Sequence, residues 1–455
     1  VGRIDPKTTA WMRDAALSGY LRTITEMDRF NDFLSYRFGQ SVWNYIGARW
    51  GDQAIGDLLK GSAAVGPERA FRRTLGIGLA ELSRDWQEAV RAAYLPDVRR
   101  ADAVDRVARR VTSHAFPTGR GKSPSFIAPA LSPDGKRLAY LSDLGYDLYS
   151  FYDLYVADAE TGEPLERLVK AARGGDFESL RYLSSSADFS PDGTRLAFVA
   201  KRGGADVVYV VDAASGDIVR SREPRLNGLQ APSWSPDGLR IVFTGLLGGI
   251  SDLYVWNLAS DEIERLTDDR AAQLHPSWSP DGRTIAYATD AGPATDIETL
   301  SFGPLRIELL DLETGERRLL PGQDAGLSIN PVWSPDGRTV AYLSTRTGTF
   351  NVYLQDLDGA PLRQLTDVLT GTMGEGALLT SPGLTWARRA DRLAFSYFED
   401  AGFNIYTIDD PRDRATAPGP PAEAITAASE INAARTVESP EPAPISRGGP
   451  PSSFY

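Results

Sequence analysis

Five copies of Ser-Pro-Asp-Gly, beginning at Ser132, Ser190, Ser235, Ser279 and Ser334, constrain this chain more than any other feature. Successive copies lie 58, 45, 44 and 55 residues apart, the spacing of a structural repeat. The clearest units read P-S-W-S-P-D-G-L-R-I-V-F (Pro232 to Phe243), P-S-W-S-P-D-G-R-T-I-A-Y (Pro276 to Tyr287) and P-V-W-S-P-D-G-R-T-V-A-Y (Pro331 to Tyr342). A further strand-like run follows, such as L-Y-V-W-N-L (Leu253 to Leu258) or V-Y-L-Q-D-L (Val352 to Leu357), and the closing run is R-L-T (Arg265 to Thr267) or Q-L-T (Gln364 to Thr366). Four short β-branched or aromatic runs separated by turn signals make one four-stranded antiparallel sheet. Ser-Pro-Asp-Gly suits the first turn, because Pro presets φ, Asp tolerates the next position and Gly takes the last without steric cost. Such a unit cannot bury both faces alone, so the units must stack radially.

A sixth, degenerate unit, W-A-R-R-A-D-R-L-A-F (Trp386 to Phe395), keeps the spacing but loses Pro-Asp-Gly. Proline-rich sequence from Pro411 leaves it without a fourth strand. Upstream, R-R-V-T (109–112) resembles R-L-T and has no unit of its own. The reading is that this segment supplies the missing outer strand, joining both ends of the ring and covering exposed edges. The predicted fold class is mainly β, a six-bladed β-propeller over residues 105–411 with an N-terminal all-α domain over 1–104. The W-S-P-D-G-x-x-I-A-Y series resembles the TolB-type propeller. The resemblance implies protein binding in the periplasm, with other proteins, including the periplasmic side of a membrane complex, as partners.

Residues 1 to about 100 change period from two to 3.6. Asp5-Pro6 starts a helix, Val42, Tyr45 and Ile46 share a helical face, and Gly51 and Gly76 stop helices. Leu82, Trp86 and Val90 form a stripe that ends before Pro96. The runs from Tyr36 to Asp52, Ala70 to Ile77 and Trp86 to Val90 resemble the helical C-terminal half of gluzincin-type metallopeptidases. The zinc motif H-E-x-x-H does not accompany them, since the two histidines, His114 and His275, are far apart. The alternative reading is therefore a piece of an envelope metallopeptidase whose catalytic half lies outside this chain.

Composition narrows function further. A net charge of −12 argues against nucleic acid as a partner. The absence of cysteine removes disulfides, thiolate nucleophiles and iron–sulfur ligands. No cofactor or metal site is expected, and no G-x-S-x-G elbow supports hydrolase chemistry, so the chain is read as non-catalytic. The most apolar stretch, Ile241 to Ile250, is about half the length of a membrane span. The first residues do not read as a signal peptide, and residues 412–455 read as a Pro-rich extended arm.

Loop lengths point to a binding face. From second-strand aromatic to third-strand aromatic, blades two, three, five and six take 11 residues, blade one takes 15 (Tyr140 to Tyr155) and blade four takes 21 (Tyr287 to Glu308). These loops and the long blade-to-blade linkers open on one face of a propeller, where insertions mark binding. The candidate partner-binding residues are Tyr146, Tyr149, Phe151 and Tyr152 in blade one, Asp296, Glu298 and Phe302 in blade four, and Met373 and Glu375 in the linker after blade five. His275 and His114 are read as structural.

Overall fold

In the computed structural model, the described residues are 6–29, 33–99, 101–112, 124–144, 146, 151–171, 177–180, 185–374 and 381–421. Six antiparallel sheets follow one another along the chain. Blade one holds β2 (Phe126–Leu131), β3 (Arg137–Ser142), β4 (Asp153–Asp158) and β5 (Pro164–Val169). In blade two, β6 (Ser179–Leu180) and β7 (Asp188–Phe189) both pair with β8 (Arg195–Arg202), followed by β9 (Ala205–Asp212) and β10 (Ile218–Arg222). Blades three, four and five run β11 (Gly228–Trp234) to β14 (Ile263–Arg265), β15 (Gln273–Trp278) to β18 (Arg317–Leu319), and β19 (Ser328–Trp333) to β22 (Arg363–Gln364). Blade six is β23 (Leu384–Trp386), β24 (Arg392–Glu399) and β25 (Gly402–Asp409), completed by β1 (Arg109–Arg110). Thr112 extends that join, its hydroxyl accepting from the Ile405 N–H at 2.9 Å.

The aromatic spacing turns into cross-strand register. Tyr140 lies opposite Tyr155, Phe198 opposite Tyr209, Phe243 opposite Tyr254, Tyr342 opposite Tyr353 and Phe395 opposite Tyr406. Each pair stacks, with ring centroids 5.6–6.2 Å apart; a directly opposed pair of this kind contributes about 0.5–1 kcal/mol beyond its burial. Blade four replaces the second ring by Glu308, which accepts the Tyr287 hydroxyl hydrogen bond. Between blades, apolar residues interlock: Leu138, Tyr140 and Leu131 of blade one pack with Ala387, Ala394 and Ile405 of blade six.

The Ser-Pro-Asp-Gly turns share one hydrogen-bond pattern. In blade four the Ser279 hydroxyl donates to Asp281 at 2.6 Å and accepts from the Thr284 N–H, while the Gly282 N–H returns to the Ser279 carbonyl. Gly282 sits at φ +72°, a conformation that costs other residues about 1 kcal/mol or more.

The helices divide between two compact units. Residues 22–94 form one, with α2 (Ile24–Met27), α3 (Phe33–Trp50), α4 (Asp52–Val65), α5 (Pro67–Leu75) and α6 (Leu79–Tyr94). Its core gathers Phe38, Leu58, Leu82 and Trp86, each with no exposed surface. The Trp86 indole N–H donates to the Ser41 hydroxyl at 3.1 Å. Gly76, in the left-handed conformation, ends α5.

The first helix, α1 (Pro6–Ser18), departs from the expected 1–104 domain and belongs with the propeller unit, as do the described residues from Leu95 to 421. The reason is local. Trp11 packs edge-on against Phe398 at 5.9 Å, and the Arg13 guanidinium holds Asp97 at 2.9 Å and bonds the Thr349 hydroxyl. The Asp14 carboxylate accepts from the N–H groups of Asp400 and Ala401 at 3.0 and 2.9 Å. Both turn residues have positive φ, so Asp14 secures the tight hairpin between β24 and β25. Among the described residues no helix is long and apolar enough to cross a membrane.

Candidate functional site

Two places on the propeller unit break the repeat, one on each face. The loops between second and third strands lie on the first face, and α1 covers it at blades five and six through Thr349, Asp400 and Ala401. Blade one carries the aromatic cluster. The Tyr146 hydroxyl donates to Asp153 at 3.1 Å and accepts from Arg167 at 3.1 Å, and Arg167 pairs with the fully buried Asp153 carboxylate. Phe151 is exposed and lies 5.8 Å from the Tyr146 ring. Tyr152 requires correction as a surface residue: it is buried in the core with Leu141 and Leu154. Met373 requires the same correction. Its N–H donates to the Ser396 carbonyl at 3.1 Å and its side chain is buried beneath blade six. Tyr149, Glu375 and His114 lie outside the described residues.

Blade four presents residues 290–305 between β16 (Thr284–Thr289) and β17 (Arg306–Asp311). Leu300 and Phe302 are 72% and 63% exposed, beside exposed Asp296 and Glu298. The loop is nevertheless tied to itself. Asp296 and Ser301 exchange backbone hydrogen bonds at 2.7 and 2.9 Å, and the Asp296 carboxylate accepts from the Glu298 N–H and Thr299 hydroxyl at 2.9 Å each. The Thr295 hydroxyl links the Asp290 carbonyl to the Gly303 N–H, and Arg306 donates to the Ala291 carbonyl at 2.6 Å. The Glu298 N–H, followed by the Thr299 hydroxyl, holds the Asp296 carboxyl below its usual pKa. Two large apolar side chains are thus held out in water on an ordered support, which lowers the entropy cost of docking.

The second break faces the central channel. The inner strands carry a bulge at Ala128, Ala231, His275 and Asn330, all at φ between 47° and 53° and all followed by proline. Ladder pairing skips across each, as between Leu274 and Ser277. Proline has no N–H to lose from a ladder, so bulging it outward sacrifices no donor. Where these strands enter the Ser-Pro-Asp-Gly turns they enclose a cavity of about 340 Å³, lined in part by Pro129, Pro232, Pro276, Pro331, Trp278 and Trp333.

A charged brace crosses the cavity. Arg388 of blade six donates to Asp188 of blade two at 2.6 Å and to the Trp234 carbonyl of blade three at 2.8 Å. The Trp234 N–H donates back to Asp188 at 2.7 Å. Burial raises the Asp188 pKa, opposed by the Arg388 charge and the Trp234 N–H. On the far side, the Asn330 amide oxygen accepts from the N–H groups of Gly383 and Leu384 at 2.7 and 2.9 Å, fastening blade five to blade six. His275 lines the cavity and is almost wholly buried.

Sequence reasoning missed Arg388, Arg389 and Asp188 as a group. The signal was present: W-A-R-R-A-D-R aligned on W-S-P-D-G-x-R puts two arginines where five other blades have Pro-Asp. Among the described residues no group of three or more His, Asp or Glu is placed to hold a metal.

Residues 179–303 match the family model of the TolB beta propeller domain. No curated protein sequence matches the chain. Among solved structures the chain is similar to TolB from Acinetobacter baumannii, at 21% identity over 63% of this chain and 66% of that one, with a TM-score of 0.43. The matched part is thus just under two thirds of that protein. A putative TolB from Agrobacterium tumefaciens aligns at 23% identity over 64% of this chain and 91% of that one, with a TM-score of 0.45. An oligogalacturonate lyase from Vibrio parahaemolyticus aligns at 14% identity over 67% and 94%, with a TM-score of 0.43. What this chain carries is a TolB-like β-propeller of six blades, with a helical region before it.

Proposed function

We propose that this chain is a non-catalytic protein-binding module of the cell envelope, working outside the cytoplasm as a peripheral subunit of a membrane complex. The observation that supports this best is the blade-four loop. It holds Leu300 and Phe302 in solvent on a hydrogen-bonded frame, flanked by Asp296 and Glu298. Exposed, pre-ordered apolar groups rimmed by charge are the anatomy of an interface anchor. The TolB-like ring supports the compartment and the class of role, and the net charge of −12 favours protein over nucleic-acid partners.

The test is site-specific photocrosslinking in native membranes, with the reactive residue at position 302 and, as control, at Leu165 on an outer strand. The expected result is a stoichiometric crosslink to a membrane-complex subunit from position 302 alone. Equal labelling from both positions would remove the reading. The resemblance of the Tyr36–Val90 segment supports a second reading, a metallopeptidase piece. Zinc-dependent proteolysis by a longer polypeptide carrying H-E-x-x-H would put that reading first.

A further inference from the structure

The blade-six turn gives the channel mouth a cation that the other turns do not supply. Arg388 is engaged by Asp188 and the Trp234 carbonyl. Arg389 lines the same cavity, is exposed, and its side chain makes no hydrogen bond or ion pair with the described residues. Its backbone is nevertheless fixed, the N–H donating to the Pro133 carbonyl of blade one at 2.8 Å. The root of the side chain therefore stands at a set place on the rim.

The carboxylates of the other turns form no ion pair with it. Asp134, Asp192, Asp237, Asp281 and Asp336 each accept from the serine hydroxyl of their own turn at 2.5–2.7 Å, and none of them lines the cavity. Within the lining, Asp188 is matched by Arg388, and His275 is the remaining titratable side chain. One guanidinium is left over, above walls that include proline and tryptophan side chains.

We propose that this cavity binds an apolar carboxylate, with Arg389 as its anchor and the proline–tryptophan walls receiving the apolar body. A guanidinium fork matches a carboxylate through two parallel hydrogen bonds. A single unmatched cation suits a monoanion better than a phosphate dianion, which calls for several donors. The cavity, about 340 Å³, falls at the small end of pockets that enclose organic ligands. A free organic acid and the carboxylate end of a peptide share this chemistry. The site is independent of the blade-four loop, so either assignment can fail without the other.

The experiment is calorimetric titration of the full chain with N-acetyl-phenylalanine, its amide, and a pentapeptide ending in phenylalanine with a free carboxylate. Indole fluorescence serves as a second readout, because Trp278, Trp333 and Trp386 line the cavity. Saturable binding of the acid with a Kd on the order of 1 mM or tighter is expected, and the amide should bind at least about tenfold more weakly. Arg389→Ala should lose that discrimination, and Arg389→Lys should keep part of it through charge alone. Arg389 is exposed and its backbone bond survives truncation, so an unchanged melting transition separates lost binding from lost fold. A peptide that binds about tenfold more tightly than the free acid assigns the site to chain ends, and equal affinity assigns it to small acids. No saturation by either carboxylate, equal affinity for acid and amide, or undiminished binding to Arg389→Ala would overturn the proposal.

Discussion

The two faces of the ring are made from the same strands under opposite rules. On the turn face, five blades repeat one hydrogen-bonded Ser-Pro-Asp-Gly turn, and the sixth replaces it with Ala-Arg-Arg-Ala. On the loop face length varies freely, from the tight Asp400–Ala401 hairpin to residues 290–305. The difference shows how to read a repeat protein. Where a repeat is strict, the substitution that breaks it carries the information. Where it is loose, the insertion does. It also predicts that damage to the five strict Ser-Pro-Asp-Gly turns will be structural and damage on the loop face will be functional.

The largest expected effect lies in the channel brace. Asp188→Ala removes the acceptor for both Arg388 and the Trp234 N–H and leaves a partly buried guanidinium without its partner. Breaking such a pair from one side should cost about 3 kcal/mol in denaturant unfolding. The Asp188→Ala/Arg388→Ala double variant should recover part of that loss, because the stranded charge is gone. If the single variant unfolds within about 0.5 kcal/mol of the parent, the turn face is not braced there.

Glycine substitutions sharpen the contrast by one step. Gly282, in the blade-four turn, and Gly248, in the blade-three hairpin of the loop face, both have positive φ. A Cβ on Gly248 meets nothing within 4 Å, whereas on Gly282 it would lie 3.1 Å from the Pro236 ring. Gly248→Ala should cost about 1 kcal/mol for backbone strain alone, and Gly282→Ala about 2 kcal/mol, since a proline ring yields little. Equal losses would mean that the turn face packs no more tightly than the loop face.

Much of this was legible because a repeat averages out local ambiguity. The 11-residue aromatic spacing translates into rings that oppose one another across a strand pair, and Glu308 was found at the equivalent place in blade four. What stayed hidden was decided by tertiary contact. A helical period says that α1 forms but not that Trp11 packs on Phe398. Tyr152 and Met373 lie in loops by sequence, yet both are buried. Arg388 and Arg389 were visible as a departure from the pattern. Their meaning needed the ring to bring residue 188 to residue 388.

Acid should act on the turn face next. The serine hydroxyl is the largest cause of the lowered pKa at Asp134 and Asp192. At Asp237, Asp281 and Asp336 burial pushes upward but is outweighed by the serine hydroxyl and a backbone N–H, joined at Asp336 by its ion pair with Arg412, and Asp336 comes down to about 2. Because these groups are more acidic folded than unfolded, their stabilisation is complete above the ordinary carboxyl range. It is lost as pH falls from about 4 to about 2. Thermal melting should decline across that window, and Asp336→Asn should flatten part of the decline. A pH-independent melting temperature there would show that the turns draw nothing from ionisation.

The smallest effect on stability, and the sharpest test of the comparison, belongs to the blade-four loop. Leu300 and Phe302 contribute little to the core, and the hydrogen bonds of Asp296, Thr295 and Arg306 hold the loop without them. Leu300→Ser/Phe302→Ser should therefore leave unfolding within about 0.5 kcal/mol of the parent while removing most crosslinking to the proposed protein partner. Losing an apolar anchor at an interface centre typically costs about 2 kcal/mol of binding, more than tenfold in affinity. A variant that binds its partner as before would move the interface elsewhere on the ring. One that binds and unfolds like the parent would show that the insertion is tolerated length with no role. A variant that unfolds readily would mean the two side chains belong to the scaffold, and the division between a structural face and a functional one would fail at its clearest point.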